Sequence, residues 1–234
     1  MKILRVETGE VRMRLAEPYT IAYESVAEAT NVLLRLVTET HVGLGCAAPD
    51  PVVTGESPAS VVEVLSERVA PELTGADPLR RERLHERLAA PLADHPSARA
   101  ALDMALWDLL GKSAGLPVWR LLGGHRRRIE TSVTIGILPE RETVESARGW
   151  LERGFRCLKL KGGLDAEADA VRVRRVREAV GPDVELRFDA NQGYSVEQAL
   201  RFVEQVRAAR IELLEQPTSQ GDPDLLGSVS RGVS

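Results

Sequence analysis

FRCLKLK (155–161), VELRFDAN (184–191) and IELLEQP (211–217) are three short runs, each closing on charged or amide side chains. The first ends in Lys159 and Lys161, the second in Asp189 and Asn191, the third in Glu215. Lys161 precedes Asp189 by 28 residues and Asp189 precedes Glu215 by 26. Those steps are close to the roughly 30 residues of one βαβ unit. Side chains alternate along a strand, so Cys157, Lys159 and Lys161 share one face and Leu158 and Leu160 the other. VELRFD splits the same way, with Val184, Leu186 and Phe188 opposite Glu185, Arg187 and Asp189.

The segments between these runs have helical spacing. One starts near Asp165, a suitable N-cap, carries an apolar stripe of Ala170, Val173, Val176, Ala179 and Val180, and stops at Gly181-Pro182. The other opens on Ser195 with Gln198 three residues on, a capping box, and places Ala199, Phe202, Val203 and Val206 on one side. Strand and helix in alternation signify a parallel sheet or barrel. Parallel strands joined by helices bring their C-terminal ends to one rim. Two lysines, two carboxylates and an amide are expected to converge there.

Upstream, residues 2–15 and 31–47 read as antiparallel strands, the latter folding at Thr38–His41 into a hairpin. EPYTIAYES (17–25) and APDPVVTGES (48–57) read as loops. Helices are expected over Ser57–Val69, over Pro78–Leu88 and after Pro96-Ser97. Small residues at Ala98, Ala101 and Ala105 let that last helix pack closely on a neighbour. Strands followed by helices indicate a separate α+β domain. LLGGHRRR (121–128) is the expected boundary, giving domains 1–127 and 128–234, and IETSVTIGI (129–137) opens the α/β part.

The 234 residues suffice for one large or two modest domains, and 43% apolar with 28% charged residues is ordinary globular composition. A formal net charge of −4 offers no basic surface, which argues against nucleic acid as a partner. Cys46 and Cys157 form no disulfide framework, and the N-terminus lacks the apolar core of a signal peptide. Both point to a cytoplasmic setting. No apolar run of about 18 residues is present, so no membrane is expected. Met104, Trp107 and Trp119 read as packing residues. His41, His85, His95 and His125 have no metal-ligand spacing and read as surface.

Taken with ALDMALWDLLGKSAGLPVWRLLGG, TIGI, LKLKGG, DANQGYS and LLEQP, the chain resembles the enolase superfamily in its muconate-lactonizing subgroup. The wording of those stretches is most similar to L-Ala-D/L-Glu dipeptide epimerases. The resemblance implies an α+β capping domain followed by a modified TIM (β/α) barrel of α/β class, with Mg²⁺ at the strand ends. It implies Asp189 and Glu215 as metal ligands and Lys161 as an acid/base. Lys159 would support the substrate carboxylate and enolate, and Thr134 and Asn191 would contact a small-molecule substrate, a dipeptide or an N-acyl amino acid. The two loops would close over that substrate, and full-length relatives would be homo-oligomers. Cys46 stands where relatives often carry Glu.

Alternating lysines also protect strand edges, and Asp-Ala-Asn-Gln-Gly is turn composition. Three such endings at one βα period favour a site. A free lysine titrates near about 10.4, so Lys161 needs help to act as a base at neutral pH. The neighbouring Lys159 and a dication would both lower its pKa. A barrel needs eight strands and about 250 residues. From Ile129 the sequence supplies 106 residues, enough for about four strands. The expectation is therefore a half-barrel, and the resemblance implies that it lacks the family's third carboxylate ligand and opposing lysine and is inactive alone. The alternatives are an N-acylamino acid racemase/o-succinylbenzoate synthase, a muconate cycloisomerase, and a non-catalytic truncated product.

Overall fold

Alternation builds the first sheet. In β2 (Ser25–Thr38) the residues Val32, Leu34 and Leu36 are fully buried on one face. β2 pairs antiparallel with β3 (Val42–Ala47), from Val32 opposite Ala47 to Val37 opposite Val42. Thr38 closes the turn, its N–H donating to the His41 carbonyl at 2.9 Å. β1 (Ile3–Thr20) completes the sheet in the order β1-β2-β3. In this computed structural model, which describes residues 1–20 and 25–233, EPYT extends β1 and Ser25 opens β2. Residues 21–24 of the expected EPYTIAYES loop lie outside the described residues.

The chain divides into two units, Met1–Leu15 with Glu28–Arg127 and Ala16–Ala27 with Arg128–Ser234. In the first, α1 (Pro58–Glu63) starts on a Ser57–Ser60 capping box and continues through a π-helical turn, Val64–Val69, into α2 (Ala70–Leu73). The wider turn ends just before Pro71, whose ring has no N–H for a regular helical bond. α3 (Arg81–Arg87) starts later than Pro78, because Asp77 holds the preceding turn through the Leu79 N–H. α4 (Pro96–Ala114) buries Ala98, Ala101, Leu102, Ala105, Leu106 and Leu109 and ends at Gly115 in the left-handed region. Its neighbour is β3: a Cβ on Gly45 would stand 1.9 Å from the Ala101 carbonyl oxygen. One turn of helix, α5 (Val118–Leu121), follows Pro117 and is absent from the sequence expectation.

Two expectations in this unit need correction. Met104 and Trp119 are exposed rather than packed, while Trp107 lies under the Arg81 guanidinium at 3.7 Å. His85 and His95 are not free surface groups. His85 Nε2 is 2.9 Å from Asp103 Oδ1, and His95 stands beside the buried Glu56. Glu56, inside the expected loop APDPVVTGES, accepts the Ser97 and Ala98 N–H groups and so caps α4.

The second unit is a parallel sheet in the order β4-β5-β6-β7. In chain order it runs β4 (Val133–Ile135), α6 (Glu140–Glu152), β5 (Cys157–Lys161), α7 (Ala166–Val180) and β6 (Glu185–Asp189). Then come α8 (Val196–Val206), β7 (Leu213–Glu215) and α9 (Pro223–Gly232). β4 is three residues long, shorter than IETSVTIGI, and Ile129 is largely exposed. Asp165 and Ser195 cap α7 and α8 as their spacing predicts. Leu158, Leu160, Leu186 and Phe188 turn toward Val173, Val176, Ala199 and Phe202 of the helices. Each such fully buried side chain contributes about 1.5–3 kcal/mol. The opposite face of the strands is left for polar groups.

Candidate active site

Register decides where those polar groups meet. Lys161 is paired with Asp189 across β5 and β6, and Asp189 with Glu215 across β6 and β7. In-register parallel strands point paired residues the same way, so the three form one cross-strand row. Two residues back, Thr134, Lys159 and Arg187 form a second row. The six residues singled out from sequence are thereby gathered at the C-terminal ends of the strands. Thr134 and Lys159 stand in one row, Lys161, Asp189 and Glu215 in the next, and Asn191 lies two residues beyond Asp189.

The contacts within the row are charged. Lys161 Nζ donates to Asp189 Oδ2 at 2.8 Å. Lys159 Nζ lies 3.0 Å from the same oxygen and 2.6 Å from Glu215 Oε2. The other Asp189 oxygen accepts the Asn191 N–H at 2.9 Å. Asp189 is almost fully buried, whereas Glu215 is partly open to solvent. Burial pushes the Asp189 pKa upward, but the Lys161 ammonium, the Asn191 N–H and Lys159 outweigh it and hold the carboxyl below its ordinary value. Burial pulls Lys159 downward, but the hydrogen bonds to Glu215 and Asp189 outweigh it, and its pKa is raised. The carboxylates, rather than the neighbouring lysine, therefore govern Lys159. Each ammonium lies within 3.0 Å of a carboxylate oxygen.

The donor set suits a hard dication. One ammonium already lies within hydrogen-bonding distance of oxygens from both acids, so the two carboxylates are spaced to share a cation. Among the described residues, Asn191 Oδ1, two residues past Asp189, is buried without a hydrogen-bond partner. Carboxylate and amide oxygens are the ligands Mg²⁺ takes. A different cluster, Cys157, Glu185 and Glu212, brings its ligand atoms within 4.8 Å of one another at the other end of the strands. It suits a metal poorly. Arg187, already on Glu212 at 2.7 Å, supplies the positive charge, and burial pushes the Cys157 thiol away from the thiolate form.

Backbone contacts lock the rim. Gly162 N–H donates to the Asp189 carbonyl, Ala190 N–H to that of Glu215, and Gln192 N–H to that of Gln216. Asn191, Gln192 and Gln216 adopt positive φ values of 45°, 66° and 42°. Left-handed backbone at non-glycine residues is costly and collects at functional sites. Residues that the sequence reading leaves without a role also reach this rim. They are Asp169 and Arg172 of α7, and Tyr194. Their i,i+3 acid–base spacing is visible in sequence, but it looks like any exposed helix pair. In unit 1, Cys46 Sγ accepts a long 3.5 Å contact from Asn31 Nδ2.

Comparison with known proteins bears on this arrangement. Residues 3–123 match the mandelate racemase/muconate lactonizing enzyme N-terminal domain, and residues 142–234 match the enolase C-terminal domain-like family. The sequence is 38% identical over 234 residues to an L-Lys-D/L-Arg epimerase of Desulforapulum autotrophicum, covering 100% of this chain and 66% of that protein. It is 35% identical over 226 residues to the L-Ala-D/L-Glu epimerase of Bacillus subtilis, covering 95% of this chain and 62% of the relative. A dipeptide epimerase from Enterococcus faecalis, solved with Mg and the dipeptide L-Leu-L-Tyr, superimposes with a TM-score of 0.97 at 35% identity. That match covers 100% of this chain and 66% of the solved one. The chain thus spans just under two thirds of the length of these relatives.

Proposed function

The chain belongs to the mandelate racemase/muconate lactonizing enzyme family and has the enolase-superfamily fold, and from that premise we propose that its strand-end row is part of a Mg²⁺-dependent dipeptide epimerase site. The reaction is an isomerisation, in which the proton α to a carboxylate or amide carbonyl leaves and returns. Within that class we assign the L-Ala-D/L-Glu type. We read residues 1–127 as the capping domain and 128–234 as the first strands of the barrel. The division of the chain at Arg127 and Arg128 supports that boundary, while residues 16–27 group with the second unit instead of the first. The observation that carries the proposal is the meeting of Lys161, Asp189 and Glu215 in one row, with one ammonium between the acids.

Asp189 and Glu215 would hold the metal, with Asn191 Oδ1 available to it or to substrate. Bound there, Mg²⁺ supplies positive charge against the negative charge that develops on substrate oxygens as the α-proton leaves. Lys161 exchanges that proton. It presents an ammonium held by Asp189 and serves as acid in that form and as base once neutral. A well-placed general acid/base contributes about 10²–10⁴-fold in rate. Lys159, beside the row, offers a positive charge to the substrate carboxylate. Thr134, in register with Lys159, gives a hydroxyl to the same region.

Epimerisation needs a proton donor on each face of the carbon. Lys159 and Lys161 are the only lysines between residues 128 and 234, and both lie on β5. The 234 residues therefore serve one face, and the chain alone interconverts no epimers. Deuterium exchange tests this with Mg²⁺ and L-Ala-L-Glu, L-Lys-L-Arg or L-Leu-L-Tyr as substrates. Interconversion by the chain alone refutes the one-face reading. Failure of Asp189→Asn and Glu215→Gln to weaken Mg²⁺ binding refutes the site itself. An N-acylamino acid racemase is the second reading, supported by 29% identity to an N-succinyl-L-Arg/Lys racemase of Bacillus cereus.

A further inference from the structure

Behind the row of charged strand ends lies a second polar group, buried and shared by three elements. Asp169 of α7 is 3% exposed, Arg172 6% and Tyr194 4%. Tyr194 OH donates to Asp169 Oδ2 at 2.6 Å, and that oxygen also accepts the Gly163 N–H at 2.8 Å. Arg172 Nη2 donates to Asp169 Oδ1 at 2.5 Å and to the Lys161 carbonyl at 2.7 Å. Tyr194 belongs to the chain just past Asp189, and its own N–H donates to the Pro217 carbonyl just past Glu215. Each strand end bearing a charged residue of the row is thus tied to one buried carboxylate or to the tyrosine that binds it. Packing leaves this assembly little room. A Cβ on Gly162 would lie 2.2 Å from the Phe188 ring and 2.5 Å from Asp169 Oδ2, and one on Gly193 would lie 2.0 Å from the Gly163 carbonyl oxygen.

A buried carboxylate that accepts from a guanidinium, a phenol and a backbone N–H is held in one geometry, and it holds its partners in return. A core needing only apolar filling at this point would have no use for three polar groups. We infer that Tyr194, Asp169 and Arg172 are positioning residues for the metal and proton-transfer row. Together they form a polar strut that fixes the distance between the β5, β6 and β7 ends, and so sets the spacing of Lys161, Asp189 and Glu215. The inference rests on the proposed reading of that row. None of the three touches the reacting groups. They act through the Lys161 carbonyl, the Gly162-Gly163 turn and the Tyr194–Pro217 bond.

Tyr194→Phe tests the strut because it keeps the ring, which packs on Phe188 and Phe202, and removes only the hydroxyl. Mn²⁺, a dication of the same oxygen preference as Mg²⁺, is titrated into the intact 234-residue chain and its free form counted by electron paramagnetic resonance. Amide exchange of segments 161–163 and 189–194 is followed in parallel, with 32–37 of the other unit as control. The strut predicts a Mn²⁺ dissociation constant at least about threefold weaker and faster exchange in both rim segments, with 32–37 unchanged. A folded variant whose Mn²⁺ affinity stays within twofold overturns the inference, whatever happens to its melting temperature or exchange. If the unaltered chain binds no Mn²⁺, the metal assignment of Asp189 and Glu215 fails separately. Rim exchange then decides the strut alone, unchanged exchange overturning it. Should Tyr194→Phe not fold, Arg172→Lys replaces it, since it keeps a cation against Asp169 while losing the planar fork that also reaches the Lys161 carbonyl.

Discussion

Asp189→Asn is the perturbation with the sharpest expected consequence for the folded chain. The side chain is 2% exposed and receives Lys161 at 2.8 Å, Lys159 at 3.0 Å and the Asn191 N–H at 2.9 Å. Asparagine keeps the volume and the acceptor for Asn191 but removes the charge. Lys159 retains Glu215 at 2.6 Å, so the ammonium left without a partner is that of Lys161. Removing one member of a fully buried ion pair costs about 3–5 kcal/mol. Lys161 is 14% exposed and reaches some water, which brings the expectation to about 2–3 kcal/mol. With a urea dependence of about 2–3 kcal/mol per molar, the unfolding midpoint should fall by about 1 M. Trp150, stacked edge-on against Phe155 at 5.3 Å, lies in the same unit, and its indole signal reports that unit's unfolding. The double variant Asp189→Asn/Lys161→Met removes the stranded charge and should recover more than half of the loss, a coupling of at least about 1 kcal/mol. A midpoint shift below about 0.2 M, or no recovery in the double variant, contradicts the account of how the row is held.

Two further predictions address the rim. Gly193→Ala puts a methyl 2.0 Å from the Gly163 carbonyl oxygen, so one backbone must give way. The variant should lose about 1–3 kcal/mol in urea titration, and a neutral result would mean the β5 and β6 ends are not in close contact. The second concerns pH. Burial and the adjacent Asp169 carboxylate raise the Tyr194 pKa above its ordinary value. The unfolded tyrosine ionises first, so this group's contribution is fully present below about pH 10 and declines above it, by about 1.4 kcal/mol per pH unit. Urea midpoints of the parent and Tyr194→Phe at pH 9 and pH 11 should therefore converge as pH rises. A constant gap between them argues against a buried neutral phenol.

Much of this was legible in the residues themselves, for identifiable reasons. β5 and β6 alternate cleanly, because one face packs on helices and the other carries the row. The Ser195–Gln198 and Asp165 caps announce α8 and α7 because a free helix N-terminus needs side-chain acceptors. α6 and α9 carry no expectation from the sequence, and each buries few residues fully. α6 buries only Thr143 and Ala147 and contains Gly149, and α9 carries Gly227 and two serines. The short β4 follows from the exposure of the residues before Val133, which have no partner to extend a ladder. Lys159 and Lys161 invite a reading of mutual repulsion when β5 is viewed alone. Only the register with β6 and β7 brings Asp189 and Glu215 near enough to reverse it for Lys159. Asp169, Arg172 and Tyr194 escape notice for a similar reason, since their spacing suits a solvated face and their burial is a property of the assembled sheet.

The claim on which the rest depends is that Asp189 and Glu215 share one divalent cation beside Lys161. Anomalous scattering from crystals of the chain soaked in Mn²⁺ tests it directly. The account predicts a single strong peak within coordination distance of both carboxylates, with the Lys159 ammonium displaced from between them. A peak at Cys157, Glu185 and Glu212 instead, or no peak on the Asp189–Glu215 pair at saturating Mn²⁺, would contradict it.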